Sequence, residues 1–332
     1  AERALALVEI EYDVREPVGG LAAARAEGAP QVYGSRRARK NPPNASEGPL
    51  LPEGWSGNVR GPMKLFSKAP GKAQRNIDAA RSEGTVAEGI WSTQVQCHTT
   101  LEPHAAVARW TAEDALEVYL STQAVRHCAH DIAERWKLKH DRVAVIAEHI
   151  GAGFGSKGGL QTEAIIAIEL ARVCKAPVRY ALERREELMI GGHRPESQVE
   201  LAAALDADGE LVGVSAEIHS NSGVAVGHAV GPLIRVLYPE VPKRLEDYDV
   251  VTHGPPGKPF RGPGGPQAYW ALEQAVDELA HARDEDPLAL RQRWDPNPAR
   301  QPLYAWAAGL DAWQNRPRAG EDKGRFRRGV GL

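Results

Sequence analysis

Cysteine is scarce in this sequence. Only Cys97, Cys128 and Cys174 occur among 332 residues, and none belongs to a C-x-x-C pair. An odd number of widely spaced cysteines argues against a disulfide framework and against an iron–sulfur site within the chain. We therefore expect a reducing compartment, the cytoplasm.

Long apolar runs and an excess of one charge are also missing. No run approaches the roughly 18 apolar residues of a membrane span, and the N-terminus lacks the apolar core of a signal peptide. The formal net charge is −3, with 26% charged residues. This balance gives no electrostatic case for nucleic acid binding, and the length suits one large domain or two smaller ones.

Glycine, by contrast, is concentrated where a strand pattern meets a helix pattern. Residues 142–150 (RVAVIAEHI) read as a strand, and five glycines follow within nine residues, 151–159. Apolar residues from Leu160 to Cys174 then recur at helical spacing, and a second strand pattern begins at Val178. We predict a β-loop-α-β unit whose helix begins near Gly158. Its glycine-rich loop can bring backbone N–H groups close to an anion.

Three interpretations of this loop follow from spacing alone. A Walker P-loop is excluded, because Ser156 separates Gly155 from Lys157. A dinucleotide fingerprint fits Gly151 and Gly153, with Glu183 as the ribose-binding acid, although Ser156 stands where a third glycine belongs. A plain chain reversal is the third interpretation.

Several separated blocks resemble, in family order, the molybdopterin-binding subunit of the xanthine dehydrogenase and aldehyde oxidase family. The resemblance covers about residues 85 to 293. The blocks are 98–108 (HTTLEPHAAVA), 121–123 (STQ), 151–157 (GAGFGSK), 193–195 (HRP), 208–211 (DGEL), 260–264 (FRGPG), 271–280 (ALEQAVDELA) and 286–291 (DPLALR).

This resemblance implies an α+β fold, the molybdopterin-binding domain of molybdenum hydroxylases, preceded by the tail of a hammerhead-type domain. We expect that tail over residues 1–34 and the first molybdopterin-binding domain over 85–332. Residues 35–84 are rich in proline, glycine and basic residues, a composition typical of a linker. Because family members are much longer, the chain is expected to be an internal fragment.

Five cofactor-binding residues are implied by the same resemblance. Gln123 corresponds to the glutamine that hydrogen-bonds the apical oxygen of molybdenum, and Arg261 to the arginine whose segment contacts the pterin beside the substrate. The loop residues Gly153, Phe154 and Gly155 would contact the same cofactor. Gln123 could instead be an ordinary polar residue at a helix start.

Arg261 also has a purely structural interpretation, in which its guanidinium closes a salt bridge with Asp277 or Glu278. Neither interpretation makes it a proton-transfer group. The general base of the family is a glutamate expected beyond Leu332, so no catalytic residue is predicted within the chain.

Histidines near Cys97 and Cys128 raise the question of a metal site. His98 and His104 are six residues apart, and Pro103 prevents a helix that would place them on one face. His127 and His130 flank Cys128 without a recognisable zinc spacing. We therefore predict no metal held directly by side chains, and a hydrogen-bonded core position for His104.

The resemblance also implies cofactors, partners and substrate. The cofactor would be molybdenum-molybdopterin in the cytosine dinucleotide form, with [2Fe-2S] and FAD on partner subunits and an aldehyde or aromatic heterocycle as substrate. Gly262 replaces the cysteine of carbon monoxide dehydrogenases, and Gly158 and Pro263 replace two purine-recognition residues.

A nicotinamide dehydrogenase and a non-catalytic scaffold are the competing functions. We expect a cytoplasmic location. The alternative is the periplasm, if the chain is exported together with a partner subunit that carries a signal peptide.

Periodicity predicts the other elements. Strands are expected near 86–97, 104–110 and 116–120, a helix near 124–136, a hairpin over 199–205 and 211–220, and a helical stripe over 268–279. Pro287 should open a short helix. Residues 7–12 and 325–332 have strand patterns, and residues 294–324 have no clear pattern.

Overall fold

A computed structural model describes residues 2–44, 50–51, 53–318, 320–321 and 323–331. Its strands are β1 (Trp55–Ser56), β2 (Val59–Met63), β3 (Thr85–Thr93), β4 (Gln96–Cys97), β5 (Ala105–Ala112), β6 (Ala115–Leu120), β7 (Val143–Ile146), β8 (Val178–Ala181), β9 (His193–Arg194), β10 (Ser197–Leu205), β11 (Leu211–Gly223) and β12 (Lys243–Val251). Its helices are α1 (Glu2–Leu5), α2 (Leu21–Arg25), α3 (Arg36–Lys40), α4 (Pro70–Glu83), α5 (Val125–Trp136), α6 (Thr162–Cys174), α7 (Arg184–Ile190), α8 (Gly231–Val236), α9 (Gly265–Ala282), α10 (Pro287–Trp294), α11 (Gln301–Ala308) and α12 (Asp311–Gln314). None of the helices in the described ranges has the length and apolar character to cross a bilayer.

The larger core lies between a six-stranded sheet and helix α9. The strand order is β1-β2-β12-β11-β10-β3, and only β11 and β12 are parallel. Alternate residues of β10 and β11, such as Leu201 and Ile218, face the apolar stripe of α9, in which Leu272 and Val276 are fully buried. The predicted hairpin is present because Asp206 Oδ1 accepts hydrogen bonds from the N–H groups of Asp208 and Glu210 in the turn.

A second core forms on a four-stranded sheet with the order β7-β6-β5-β8. Helices α5 and α6 pack on it, with Ile132 and Ile168 fully buried against Val118. Strands β7 and β8, which flank α6, lie at opposite edges of this sheet, and the antiparallel pair β5 and β6 lies between them.

This topology bears on the dinucleotide interpretation of the glycine-rich loop. A dinucleotide fingerprint belongs to a mostly parallel sheet, whereas here two antiparallel strands separate β7 from β8. Glu183, the candidate ribose acid, is the N-cap of α7 and shares a capping box with Glu186. The dinucleotide-binding interpretation is therefore not supported.

Several element predictions need correction. Helix α6 begins at Thr162 and not near Gly158, and the strand predicted before the loop is β7, at one edge of the four-stranded sheet. Residues 7–12 are not a strand, and neither are 325–331; Leu332 lies outside the described residues. Residues 301–308 and 311–314, for which no element was predicted, are helical.

The predicted linker also contains regular structure. Strand β2 pairs with β12, and α4 buries Ile77 and Ala80 against the six-stranded sheet. Residues 45–49 and 52 of that stretch lie outside the described residues. The domain boundaries at 34 and 84 stay predictions.

Candidate functional site

The glycine-rich loop, residues 147–161, joins β7 to α6 and has a strained backbone. Two non-glycine residues in it, Ala152 and Phe154, have positive φ angles of 72° and 55°. The N–H groups of Ala152, Gly153 and Phe154 have no hydrogen-bond partner in the described part of the chain. Left-handed residues next to other conformations turn successive N–H groups toward one point, the arrangement of an anion-binding nest. Strain of this kind clusters at functional sites.

Gln123 contacts this loop directly. Its Oε1 accepts a hydrogen bond from the Gly155 N–H at 2.8 Å, and its own N–H donates to the Lys157 carbonyl at 2.9 Å. A Cβ at Gly153 would lie 2.3 Å from Gln123 Oε1, so a side chain there would displace the Gln123 amide from its present position. No hydrogen bond within the described ranges occupies Gln123 Nε2. The exposed side chain therefore keeps two donors for a ligand.

A stack of rings and cations borders the other side of the loop. The Phe154 and Phe260 rings are nearly parallel, with centroids 6.0 Å apart, and His98 stacks on Phe260 at 4.5 Å. The Arg261 guanidinium carbon lies 5.3 Å from the centre of the Phe154 ring, and the Arg261 N–H donates to the Phe154 carbonyl at 2.8 Å. Arg194 fixes this turn from below through bonds to the carbonyls of Arg261 and Gly262.

The salt bridge considered for Arg261 does not form. Asp277 accepts from Arg291 Nη1 at 2.7 Å, and no ion pair joins Arg261 to Asp277 or Glu278 in the described structure. Arg261 is instead exposed beside Phe154. The loop thus contacts both Gln123 and Arg261.

Below the loop lies a buried polar network that the sequence did not reveal. Lys157 is fully buried, and its Nζ donates to Glu102 and Ser121. Burial acts to raise the pKa of Glu102, but bonds from the Gly151 N–H, Ser121 and Lys157 outweigh it and hold this pKa below the ordinary value. In the sequence, the glutamate of the E-P-H block and the lysine of the G-S-K block are the residues that could have indicated this contact, since buried charges require partners.

His104 occupies the buried, hydrogen-bonded position predicted for it. Its Nδ1 lies 2.9 Å from both carboxylate oxygens of Glu187, and its N–H donates to the same carboxylate. Burial acts to raise the pKa of Glu187, but the bonds from His104 lower it overall. His98 also has protein partners, the carbonyls of Gly192 and Pro259.

Cations predominate around the loop. Besides Lys157 and Arg261, the buried Lys258 Nζ donates to Gln161 at the start of α6, and burial lowers the pKa of Lys258 to about 8. Burial raises the pKa of the nearby Glu163. The cations Arg194, Lys258 and Arg261 around the loop favour an anionic ligand.

One group of three potential metal ligands occurs among the described residues. His130, Glu134 and His140 have ligand atoms within 4.8 Å of one another, and all three are exposed on or just after α5. The group shares only His130 with the histidines considered from the sequence. The three cysteines are free.

Comparisons with known proteins agree with this picture. A family model described as molybdopterin cofactor-binding domain matches residues 63–294. The aldehyde oxidoreductase molybdenum-binding subunit PaoC of Escherichia coli O157:H7 is 32% identical over 230 residues, 67% of this chain and 30% of that protein. The xanthine dehydrogenase molybdenum-binding subunit of the same organism is 26% identical and matches 100% of this chain and 43% of its own length.

A solved structure supports the fold. Quinoline 2-oxidoreductase from Pseudomonas putida 86 superimposes with a TM-score of 0.74 at 23% identity, covering 88% of this chain and 35% of that chain. The chain thus spans less than half the length of each of these proteins.

Proposed function

This chain belongs to the molybdopterin cofactor-binding domain family, and we propose that its loop of residues 151–157 holds part of the molybdenum cofactor. The observation that carries this proposal is the group of free N–H donors at Ala152, Gly153 and Phe154, set by positive φ angles. A phosphate-bearing pterin is an anion that such donors bind.

The residues present fit this cofactor. Gly153 and Gly155 leave open the space that a side chain would occupy against Gln123 and Pro259. When bound, the molybdenum centre supplies the redox chemistry. Gln123 Nε2 donates toward the ligand, the loop amides orient it, and Arg261 balances its negative charge beside Phe154.

We further propose that the whole protein is a molybdenum hydroxylase that oxidises aldehydes or aromatic heterocycles with oxygen derived from water. Its relatives include an aldehyde oxidoreductase subunit at 32% identity, which supports this substrate class. The proposal includes a cytosine dinucleotide form of the cofactor and partner subunits with [2Fe-2S] and FAD. The general-base glutamate would lie outside these 332 residues.

Molybdenum content tests the proposal against the competing function of a scaffold that binds no cofactor. The complete gene product, purified from a host that makes the cofactor, should contain stoichiometric molybdenum and pterin. Gln123→Leu should reduce aldehyde turnover roughly ten- to a hundredfold, because one preorganised donor is lost. Gln74→Leu on α4, in the other sheet layer, is the matched control and should leave turnover unchanged. A folded product without molybdenum would contradict the proposal.

A further inference from the structure

We infer that Lys157 and Glu102 act as a positioning pair, which holds the loop amides and Gln123 in the arrangement that binds the ligand. The identity of that ligand rests on the proposed function, whereas the hold on the loop does not. Lys157 lies beneath the site and is fully buried, whereas the half-buried Glu102 lies beside the Gly151 end of the loop. The two side chains meet where three separate segments of the chain come together.

The Lys157 side chain reaches away from the loop and is fully buried. Its Nζ donates to the Glu102 carbonyl at 2.8 Å, to Glu102 Oε2 at 3.2 Å and to Ser121 Oγ at 2.7 Å. These three acceptors match the three donors of an ammonium group. A buried charge with all of its donors used fixes one geometry, because any displacement leaves a donor unpaired.

Glu102 connects this ammonium to the opposite end of the loop. Its Oε2 accepts from the Gly151 N–H at 2.5 Å and from Ser121 Oγ at 2.8 Å. A Cβ at Gly151 would lie 2.5 Å from Glu102 Cβ, so the backbone approaches this side chain as closely as glycine permits. The first and last residues of the 151–157 segment, Gly151 and Lys157, are therefore held by one carboxylate.

The main chain of Lys157 completes the link to Gln123. Its carbonyl accepts from the Gln123 N–H at 2.9 Å and from Thr122 Oγ1 at 3.1 Å. Ser121, an acceptor of the ammonium, is two residues before Gln123. One lysine thus fixes both parts of the site, the loop through its own backbone and Gln123 through residues 121–123.

If Lys157 only stabilised the fold, its removal would speed amide exchange throughout the domain. A positioning lysine should affect the loop selectively, and its effect should depend on Glu102. Lys157→Met keeps a long apolar side chain but leaves the Glu102 carboxylate without its cation. Adding Glu102→Gln removes that charge and keeps an acceptor, so the double variant should recover part of what the single variant loses.

Amide hydrogen exchange tests this in the complete gene product, purified from a host that does not make the cofactor. We expect Lys157→Met to speed exchange of the hydrogen-bonded amides of Gly151, Gly155 and Ser156 about tenfold or more, with less than about twofold change in β10, since local openings are independent of global unfolding. Lys157→Met/Glu102→Gln should restore part of the protection. Lys72→Met, the same substitution at an exposed lysine of α4, should change neither region.

The same variants are then purified with cofactor. Loss of molybdenum from Lys157→Met, with β10 exchange unchanged, supports both the inference and the proposed function. Faster loop exchange in a variant that keeps its full molybdenum content and turnover would support the inference that Lys157 and Glu102 hold the loop. The same result would overturn the role of the loop in cofactor binding. Unchanged loop exchange, or equal acceleration in the loop and β10, overturns the inference. If Lys157→Met does not fold, Glu102→Gln and Ser121→Ala, which each weaken the network singly, decide between these outcomes by the same exchange comparison.

Discussion

Two glycines near the site differ in a way that separates backbone strain from steric fit. Gly155 has a φ of 114°, and a Cβ there would lie 2.3 Å from the Pro259 carbonyl oxygen. Gly262 has a φ of 72°, but nothing lies within 4 Å of its Cβ position. Both positions disfavour a side chain through conformation, and only Gly155 does so through contact as well.

We therefore predict that Gly155→Ala destabilises the chain by about 2 kcal/mol more than Gly262→Ala, because the loop must move away from Pro259. The Gly262→Ala variant should lose only about 1 kcal/mol, the cost of a left-handed alanine. Urea unfolding of both variants measures the difference. Equal losses would show that the contact with Pro259 relaxes without cost.

The sequence indicated which residues of the loop matter but not their conformation. Glycines at 151, 153 and 155 predicted a backbone that can approach an anion, whereas the structure places them close to Glu102, Gln123 and Pro259 of the chain itself. The positive φ angles of Ala152 and Phe154 could not be predicted, since neither residue favours that region by itself.

His228 makes stability depend on pH. Burial, together with the nearby charges of His193 and Arg194, lowers the pKa of His228 to about 4 from 6.5. Between these values the unfolded chain binds more protons than the folded chain, so stability is lost as the pH falls from 6.5 toward 4. The loss attributable to His228 between pH 6.5 and pH 5 is on the order of 2 kcal/mol.

His228→Gln should flatten this dependence by that amount, because glutamine does not titrate. Urea unfolding at several pH values between 5 and 7 gives the slope for the variant and the parent. A variant slope equal to that of the parent would mean that His228 is already protonated in the folded state.

At the scale of elements, α10 shows a helix start that sequence predicts well. Asp286 caps the helix by accepting from the N–H groups of Leu288 and Ala289, and Pro287 is its first residue, as predicted. The other oxygen of Asp286 accepts from Trp313 Nε1 and Arg316. One side chain therefore caps α10 and attaches the end of α12 to it.

We predict that Asp286→Ala lowers the free energy of unfolding by about 2 kcal/mol, about 1 kcal/mol from the cap and the rest from the lost contacts to Trp313 and Arg316. Asp286→Asn can still cap the helix and should lose only about 1 kcal/mol, the part that comes from the contacts to Trp313 and Arg316. Thermal or urea unfolding followed by far-UV circular dichroism measures both. Equal losses in the two variants would assign the effect to the ion pair with Arg316 alone.

The glycine and proline content of residues 35–84 predicted a linker, but some of these residues lie within a strand or begin a helix. Gly61, in β2, allows the strand to approach β12 so closely that a Cβ would lie 2.8 Å from the Asp247 carbonyl oxygen. Pro70 is the first residue of α4. In the sequence such residues look like those of a linker, because the residues that they contact are more than a hundred positions away. The late start of α6 has a related cause, since Gly158 and Gly159 are poor helix formers.

At the scale of the molecule, the site lies where the two sheet layers meet. The loop follows β7 of the four-stranded sheet, whereas Phe260 and Arg261 come from the segment between β12 of the six-stranded sheet and α9. The bond from Lys258 to Gln161 and the stacking of Phe260 on Phe154 join the layers there. The family motifs predicted that residues from both layers belong to one site. Spacing within the sequence could not predict this, because residues in contact, such as His104 and Glu187, are 83 positions apart.

The exposure of this site leads to the last prediction, which concerns the 332-residue chain by itself. Gln123 and Arg261 are exposed, so this chain surrounds a ligand on one side only and leaves the other side in water. A ligand held by part of its hydrogen bonds loses affinity steeply, since the cost of immobilising it stays the same. We expect the isolated chain to retain no stoichiometric molybdenum when it is made in a host that synthesises the cofactor.

Turnover should be absent for a second reason. Among the described residues, no carboxylate is hydrogen-bonded or ion-paired to Gln123 or Arg261, and loss of a general base alone typically costs about 10² to 10⁴ in rate. Metal analysis of the purified chain and benzaldehyde oxidation with an artificial electron acceptor are the two measurements, with the complete gene product as the positive control. Stoichiometric molybdenum in the isolated chain would mean that the loop, Gln123 and Arg261 suffice to hold the cofactor. Turnover without the rest of the protein would place the base among the carboxylates of this chain, such as Glu102, which accepts a hydrogen bond from the loop at Gly151.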